Sequence, residues 1–321
     1  MNATLQNLVD AWFTPRFLEK LSGRESSSAD AIGREWLLAD GKRLRPLLTA
    51  SVYDALAGAD AAERIAPAAV AVECFHKASL VHDDIEDGDT ERYGRPAVHV
   101  RYGVAQAINA GDWLLGEGYR LLAASPFDAG IRASMLAVAA EGHRELARGQ
   151  GDELAYCAKP QRVSVDDVLR IYRRKTASAF EVAAQCGAVA GGLPTQDRER
   201  LSAFSRAFGV AYQIRDDQED FTANGQRGAD LLSLRPTLHF AEACRLSLPE
   251  TEDVLQENGG RETRIRLLEA IAASEIPALV QSRLDTAIEE AKQAAGEIRV
   301  PALRDFLFRC ASGLRLQTKQ T

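Results

Sequence analysis

Apolar and polar positions follow a helical period along most of the chain. Ala, Leu, Arg and Glu recur at helical spacing from end to end, whereas alternating runs rich in Val, Ile and Thr are almost absent. We therefore expect a fold that is nearly all helix. Fixed-period repeats, low-complexity tracts and long linkers are also absent, so a single domain over residues 1–321 is the economical prediction.

Three long helices are bounded by residues that favour helix ends. They run from Pro67 to about Gly88, from Ser164 to the Gly191-Gly192 pair, and from Arg198 to about Phe221. Pro suits a first helical turn and Gly suits an exit, while Ser164 with Asp167 three residues later resembles a capping box. The run TANGQRG at 222–228 then predicts a loop.

The composition is that of a soluble globular protein, with 46% apolar and 26% charged residues. Charges or Gly interrupt every apolar run, which disfavours a membrane span, and the net charge of -7 disfavours a nucleic-acid partner. The start of the chain has Asp10 but no Lys or Arg before Arg16, so we do not expect export. Five widely spaced cysteines favour neither a disulfide framework nor a Cys-x-x-Cys metal site, and we expect a reducing cytoplasm.

Two acidic clusters carry the strongest chemical signal. The run His82 to Asp89 holds five carboxylates starting at Asp83, and a second cluster, Asp216 to Asp220, begins 133 residues later. At about 100° per residue, Asp83 and Asp87 fall within roughly 40° on one helix face, as do Asp216 and Asp220. Each helix can therefore point two carboxylates in one direction.

Carboxylates that share a helix face repel, so the clusters invite a compensating cation. Oxygen ligands indicate Mg²⁺ or Ca²⁺, and neither cluster has the spacing of an EF-hand loop. Because Mg²⁺ uses few carboxylates and completes its coordination with water and phosphate, a phosphorylated substrate is expected. The alternative for either cluster alone is a solvated acidic helix end.

Basic residues upstream could hold that phosphate. Lys42 and Arg45 lie in Gly-Lys-Arg-Leu-Arg-Pro (41–46) and would share a face if this stretch is helical. His76 precedes Asp83 by seven residues, about two helical turns, and so lies on the same face. A lone His in an apolar helix is more often a satisfied core residue, and Arg92, Lys175 and Arg235 would by themselves be taken as surface cations.

Together these motifs resemble the trans-isoprenyl diphosphate synthases of the polyprenyl synthetase family, over about Gly41 to Thr237. HKASLVHDDIED is similar to the family's first aspartate-rich motif and YQIRDDQED to its second. GKRLRP, Lys175-Thr176, the run Asn109 to Asp112 and Gly149-Gln150 also occur in family order. The resemblance implies a barrel of long helices around a deep apolar cavity, usually dimeric, which joins an allylic diphosphate to isopentenyl diphosphate by 1'-4 elongation.

The resemblance also implies roles for individual residues. Asp83, Asp87 and Asp216 would ligate three Mg²⁺ ions on the allylic diphosphate, supported by Asp84, Asp217 and Asp220. Arg92, Lys175 and Arg235 would contact the same diphosphate, and Lys42, Arg45 and His76 would bind isopentenyl diphosphate. Thr176 and Gln213 match positions beside the developing allylic cation. Small residues at Ser79 and Ala78, four and five positions before the first motif, favour a twenty-carbon product, unless Trp113 or Tyr119 blocks the cavity.

Four positions depart from the family pattern. Tyr93 follows Arg92 where a second arginine is usual, and a phenol supplies neither the charge nor the fork of a guanidinium. The later Gly-Lys-x-Thr element is Leu234-Arg235-Pro236-Thr237, Asp40 replaces a glycine, and Glu153 stands in place of an Asp.

The departure at Tyr93 leaves open a terpene synthase or cyclase that ionises a prenyl diphosphate without elongation. Two further alternatives are a catalytically silent helical partner of an active synthase and an unrelated Mg²⁺-dependent phosphohydrolase. Retention of both aspartate motifs disfavours the silent partner, and Lys42, Arg45 and His76 in this register disfavour the phosphohydrolase.

Overall fold

The structure is a computed structural model that describes residues 3–24, 26–58, 63–222, 229–256 and 259–315. The predicted loop therefore lies, apart from Thr222, outside the described residues. In chain order the α-helices are α1 (Ala3–Trp12), α2 (Pro15–Ser22), α3 (Ser28–Leu38), α4 (Leu44–Ala57), α5 (Ala66–Asp87), α6 (Val98–Tyr102), α7 (Val104–Ala123), α8 (Ala129–Ala158), α9 (Val165–Tyr172), α10 (Ser178–Ala190), α11 (Thr195–Thr222), α12 (Ala229–Leu232), α13 (Leu238–Leu246), α14 (Pro249–Gln256), α15 (Arg261–Ala273), α16 (Ile276–Gly296) and α17 (Pro301–Ser312).

These helices confirm the prediction of an all-α fold. Strand structure in the described residues is confined to a hairpin of β1 (Glu91–Arg92) and β2 (Arg95–Pro96), which the sequence analysis did not predict. The chain forms two compact units, a first of 1–142 with 182–198 and a second of 143–181 with 199–321. The single domain over 1–321 stays a prediction. Across the described residues, no helix is both long enough and apolar enough to cross a membrane.

Helix α5 is the central element of the first unit and packs against α3, α4, α6 and α7. Its bounds confirm the predicted helix, since Pro67 lies in the first turn and Gly88 ends the helix with a left-handed φ of 69°. Close approach to α7 depends on Gly118, where an added Cβ would lie 2.5 Å from the Phe75 ring. This packing fixes the position of the acidic last turn of α5.

The second unit has an apolar core formed by α9, α11, α13 and α16, with buried residues such as Val168, Ile214, Phe240 and Leu284. Ser164 and Asp167 form the predicted capping box at the start of α9. The predicted helix continues to Ala190, but Arg173–Ala177 is a π-helical turn within it. The third predicted helix is confirmed as α11.

Candidate functional site

The acidic last turn of α5 contains two kinds of carboxylate. Asp83 and Asp87 are partly exposed, whereas Asp84 is fully buried. Arg92 donates through Nε to Asp84 Oδ1 at 2.8 Å, and a second, shorter bond joins Nη2 to the same oxygen. Burial raises the pKa of the Asp84 carboxyl, and Arg92 opposes this shift. The buried Asp84 Oδ2 has no hydrogen-bond partner. Asp84 and Arg92 therefore form the buried part of this cluster, and Asp83 and Asp87 form its partly exposed part.

The short hairpin places Arg92 against Asp84. Its two central residues, Tyr93 and Gly94, have φ values of 57° and 70°. Positive φ at both central positions is the geometry of a type I′ turn, whose twist matches that of antiparallel strands. The tight turn that follows Arg92 keeps the hairpin short and holds Arg92 beside α5. Tyr93 has a backbone conformation that few non-glycine residues adopt.

The segment before α4 corrects one prediction. Residues 41–43 are not helical, so Lys42 and Arg45 do not share a helix face; Lys42 is exposed and Arg45 lies in the first turn of α4. The reason is Arg43, which has a φ of 48° and is buried. Its guanidinium donates to Glu73 Oε1 at 2.5 Å and to the carbonyl oxygens of Leu37 at 2.9 Å and Ala39 at 2.7 Å. The sequence analysis had not assigned Arg43 a role.

Arg45 and His76 are brought together, as expected for a shared substrate site. Arg45 Nη1 lies 3.1 Å from His76 Nε2. Burial and then the Arg45 charge hold the pKa of His76 well below its usual value. Because a guanidinium only donates, the ring must be neutral with Nε2 as acceptor, and its proton is therefore on Nδ1. A neutral His76 can offer that N–H to a phosphate oxygen.

In the second unit, a chain of hydrogen bonds joins three predicted residues to Tyr172. Thr176 Oγ1 donates to Gln213 Oε1 at 2.6 Å, and Gln213 Nε2 donates to Asp217 Oδ1 at 2.8 Å. The Tyr172 hydroxyl donates to Asp217 Oδ2 in a short bond and accepts from the backbone N–H of Leu238 at 3.2 Å. Burial raises the pKa of Asp217 well above its usual value, although both hydrogen bonds oppose that shift. Both oxygens of Asp217 therefore accept hydrogen bonds within the protein, and its supporting role stays a prediction.

The π-helical turn presents Lys175 beside Thr176. Lys175 Nζ lies 3.2 and 3.3 Å from the two carboxylate oxygens of Glu153, the residue that replaces the usual Asp. Gly149 permits this close approach of α8, because a Cβ there would lie 2.6 Å from the Lys175 backbone nitrogen. The Gly-Gln motif thus has a packing role that its spacing alone did not indicate.

Asp216 is exposed, Asp220 is partly exposed, and both are near a carboxylate that the sequence analysis missed. The backbone N–H of Asp230 donates to Asp220 Oδ2 at 3.3 Å, and Arg235 Nη1 lies 3.3 Å from Asp230 Oδ1. Burial raises the pKa of Asp230 to about 6, against the opposing charge of Arg235. Leu234, which replaces a family glycine, has a φ of 57°, so the segment keeps a left-handed residue before Arg235.

The predicted chain-length residues all lie in the first unit. Ala78 is fully buried, and the Ser79 hydroxyl donates to the His76 carbonyl oxygen at 2.9 Å. Tyr119 packs on Phe75, one helical turn before Ser79, with ring centroids 4.9 Å apart. Trp113 packs against α3, where a Cβ on Gly33 would lie 2.3 Å from its ring. Phe75 and Tyr119 therefore pack on each other one helical turn before Ser79, and Trp113 packs against α3.

The donor set fits a hard divalent cation, although no group of three or more His, Cys, Asp and Glu side chains is arranged for one within the described residues. Asp84 Oδ2 is a buried carboxylate oxygen without a hydrogen-bond partner, and Asp83 and Asp87 flank it with partial exposure. Mg²⁺ is typically bound by one or two protein carboxylates, with water and phosphate oxygens of a ligand completing its coordination. The metal assignment stays a prediction.

An all-α fold, two aspartate-rich helix ends and cations beside them are the features that the resemblance to the polyprenyl synthetases predicts. The chain belongs to the polyprenyl synthetase family, whose model matches residues 28–273. This match confirms the resemblance drawn from the sequence motifs. In its fold the protein resembles geranylgeranyl pyrophosphate synthetase from Pyrococcus horikoshii, with a TM-score of 0.86, 26% identity and 97% of each chain covered.

Sequence relatives agree with this assignment. The chain is 35% identical to the geranylgeranyl diphosphate synthase of Methanosarcina mazei over 205 residues, which cover 62% of this chain and 62% of that protein. It is 31% identical to the octaprenyl diphosphate synthase of Haemophilus influenzae over 264 residues, 79% of this chain and 76% of that protein. A further structure with 26% identity, a TM-score of 0.80 and coverage of 97% and 93% is a polyprenyl synthase from Caulobacter crescentus complexed with calcium and isoprenyl diphosphate.

Proposed function

We propose that the protein is a prenyltransferase that condenses an allylic diphosphate with isopentenyl diphosphate by Mg²⁺-dependent 1'-4 chain elongation. The observation that carries this proposal is the contact between Arg45 and a neutral His76, 3.1 Å apart, with the exposed Lys42 three residues before Arg45. These residues supply a second diphosphate site besides the one beside the aspartates. An enzyme that only ionises one prenyl diphosphate has no use for a second site.

The aspartates and the second set of cations serve the allylic diphosphate. Asp83 and Asp87 from α5 and Asp216 from α11 would hold Mg²⁺, with Asp84, Asp217 and Asp220 in support. Bound metal ions would neutralise the diphosphate leaving group as its bond to the allylic carbon breaks. Arg92, Lys175 and Arg235 add fixed positive charge to the same group, which stabilises developing negative charge without reorganisation.

The remaining residues guide the carbon chemistry. Thr176 and Gln213 would lie beside the position where the allylic carbon becomes positive, and their side chains are fixed by the bond from Thr176 to Gln213 and the bond from Gln213 to Asp217. Lys42, Arg45 and His76 orient isopentenyl diphosphate so that its double bond attacks this carbon. Loss of a proton from the adduct then restores a double bond, and the released diphosphate is the base we propose.

Small residues at Ala78 and Ser79 favour a twenty-carbon product, and a fifteen-carbon product is the second candidate. The Phe75–Tyr119 pair below them would limit further growth. We also propose a homodimer with three Mg²⁺ ions in each active site, working in the cytoplasm. The allylic diphosphate and isopentenyl diphosphate would be its substrates.

The terpene synthase alternative is not favoured. The relatives named above are chain-elongating synthases, and the cations expected for isopentenyl diphosphate are retained in this chain. Tyr93 removes one charge from that site, and losing one charge-assisted contact weakens binding by about 1.5 to 3 kcal/mol. Such a loss raises KM for isopentenyl diphosphate and leaves the reaction type unchanged.

Diphosphate release tests the proposal. With Mg²⁺ and an allylic diphosphate, release should depend on added isopentenyl diphosphate, and Asp83→Asn and Asp216→Asn should each abolish it. Glu86→Gln is the matched control, since Glu86 is an exposed carboxylate in the same helical turn as Asp83, and it should keep near-normal rates. Release that proceeds equally well without isopentenyl diphosphate would support the cyclase alternative, and normal rates in either aspartate variant would contradict the metal assignment.

A further inference from the structure

We propose that Lys77, held between Trp36 and Tyr93, is a positioning residue that fixes the segment 39–43 and thereby places Lys42 for isopentenyl diphosphate. Tyr93 contributes to this arrangement the aromatic face that a second arginine would not provide. The inference rests on the proposed function for the role of Lys42. The geometry of the segment itself does not depend on it.

The Lys77 side chain is fully buried, and its ammonium group is surrounded by two carbonyl oxygens and two aromatic rings. The Nζ atom donates to the carbonyl oxygens of Ala39 at 3.2 Å and Asp40 at 2.9 Å. It also lies 4.3 Å from the Tyr93 ring centroid and 5.3 Å from that of Trp36. A buried charge without partners is strongly unfavourable, and here two carbonyl dipoles and two aromatic faces replace its hydration. We call this group of three side chains the Lys77 cage.

Two buried cations from different elements hold the same short segment. Arg43 donates to the carbonyl oxygens of Leu37 and Ala39, and Lys77 donates to those of Ala39 and Asp40. The carbonyl of Ala39 therefore accepts from both. These bonds secure the backbone on one side of Lys42, while α4 begins two residues after it. The exposed Lys42 side chain thus extends from a backbone that is fixed at both ends.

Tyr93 covers the segment from the other side. A Cβ on Gly41 would lie 3.6 Å from both Lys77 Nζ and Tyr93 Oη, in ordinary van der Waals contact, so this backbone lies directly beside the cage. Tyr93 also packs on Trp36, with ring centroids 5.9 Å apart at 40°. The type I′ turn at Tyr93 and Gly94 aims the ring at Lys77, which links the hairpin holding Arg92 to the segment holding Lys42.

The buried Lys77 ammonium favours a neutral aromatic ring at position 93 over another cation. Burial lowers the pKa of Lys77 to about 8, and nearby Arg43 and Arg92 oppose its charge while Glu73 and Asp40 favour it. An arginine at position 93 would add a third cation beside a buried ammonium, which disfavours its charged form further. An aromatic ring instead attracts the ammonium. The departure from two arginines therefore agrees with the presence of a buried lysine at position 77.

Limited proteolysis tests the positioning without measuring activity. Trypsin cleavage after Lys42, followed by mass spectrometry, should be about tenfold faster in Lys77→Met than in the parent protein, because local opening of the segment exposes that bond. Tyr93→Leu, which removes the aromatic face without adding a charge, should accelerate the same cleavage, whereas Tyr93→Phe keeps the ring and should not. Lys20→Met, which removes an exposed lysine of α2, is the control and should leave cleavage after Lys42 unchanged.

Kinetics separate positioning from general stability. In Lys77→Met and Tyr93→Leu, KM for isopentenyl diphosphate should rise about tenfold, while KM for the allylic diphosphate stays within about twofold. Unchanged cleavage and unchanged KM in both variants would overturn the inference, as would equal losses for both substrates. If Lys77→Met does not fold, Tyr93→Leu against Tyr93→Phe decides the question. An enzyme that never elongates would refute the proposed function, and the proteolysis would still decide the role of Lys77.

Discussion

Replacement of Tyr172 by Phe tests the hydrogen-bond chain that supports the second aspartate motif. The hydroxyl donates to Asp217 and accepts from the Leu238 amide, and both groups are buried. A hydrogen bond to a charged group contributes about 1.5 to 3 kcal/mol, and the unpaired Leu238 amide adds about 1 kcal/mol. We therefore expect Tyr172→Phe to lower the free energy of unfolding by about 3 kcal/mol. Turnover should fall as well, since Asp217 orients Gln213.

Urea unfolding followed by circular dichroism at constant pH measures this difference. The matched control is Tyr156→Phe, because Tyr156 is a buried tyrosine of the same unit whose hydroxyl lies near the Gln161 backbone rather than a carboxylate. Tyr156→Phe should lower the free energy of unfolding by less than about 1 kcal/mol. Equal losses in the two variants would refute the reasoning, because the Asp217 bond would then contribute nothing beyond an ordinary buried hydroxyl.

Three further predictions follow from other contacts. Asp84→Asn leaves Arg92 without its buried partner and should lower the free energy of unfolding by about 3 kcal/mol, measured by urea unfolding. Burial lowers the pKa of His239 to about 4, so between pH 6.5 and pH 4 the imidazole is protonated in the unfolded chain but not in the folded protein. The free energy of unfolding should therefore fall by about 3 kcal/mol as the pH falls from 6.5 to 4. The fall should be smaller in His239→Phe. Ser79→Phe should shorten the main product and Phe75→Ala should lengthen it, measured by mass analysis.

Each of these predictions has a result that contradicts it. Unchanged stability in Asp84→Asn would show that the Arg92 contact is not a buried ion pair. Parallel stability curves for the parent and His239→Phe from pH 6.5 to pH 4 would exclude His239 as the titrating group. An unchanged product in both wall variants would place the limit on chain length elsewhere.

Local sequence signals predicted the helices well. Pro67 and Gly88 marked the ends of α5, and the Ser164–Asp167 capping box marked the start of α9, because each acts within a few residues of the helix end. The spacing of His76 before Asp83 also predicted a common helix. Where backbone conformation depends only on neighbouring residues, the pattern was sufficient.

Contacts between residues far apart in the chain were not predictable from spacing. Arg43 has a left-handed conformation and contacts Glu73, thirty residues later, so the condition for Lys42 and Arg45 to share a helix face is not met. Tyr172 pairs with Asp217, 45 positions away, and no local pattern marks that pair. Lys77 was visible in the motif but had no assigned role, because its partners come from the segment before α4 and from a hairpin turn.

The most direct test of the account is mass analysis of dephosphorylated products. The enzyme would be incubated with Mg²⁺, isopentenyl diphosphate and, in separate reactions, allylic diphosphates of five, ten, fifteen and twenty carbons. The account predicts a linear prenol longer than the added substrate, ending mainly at twenty carbons. Hydrocarbons or unextended alcohols from every allylic substrate would contradict chain elongation and identify Tyr93 as the mark of a lost condensation site.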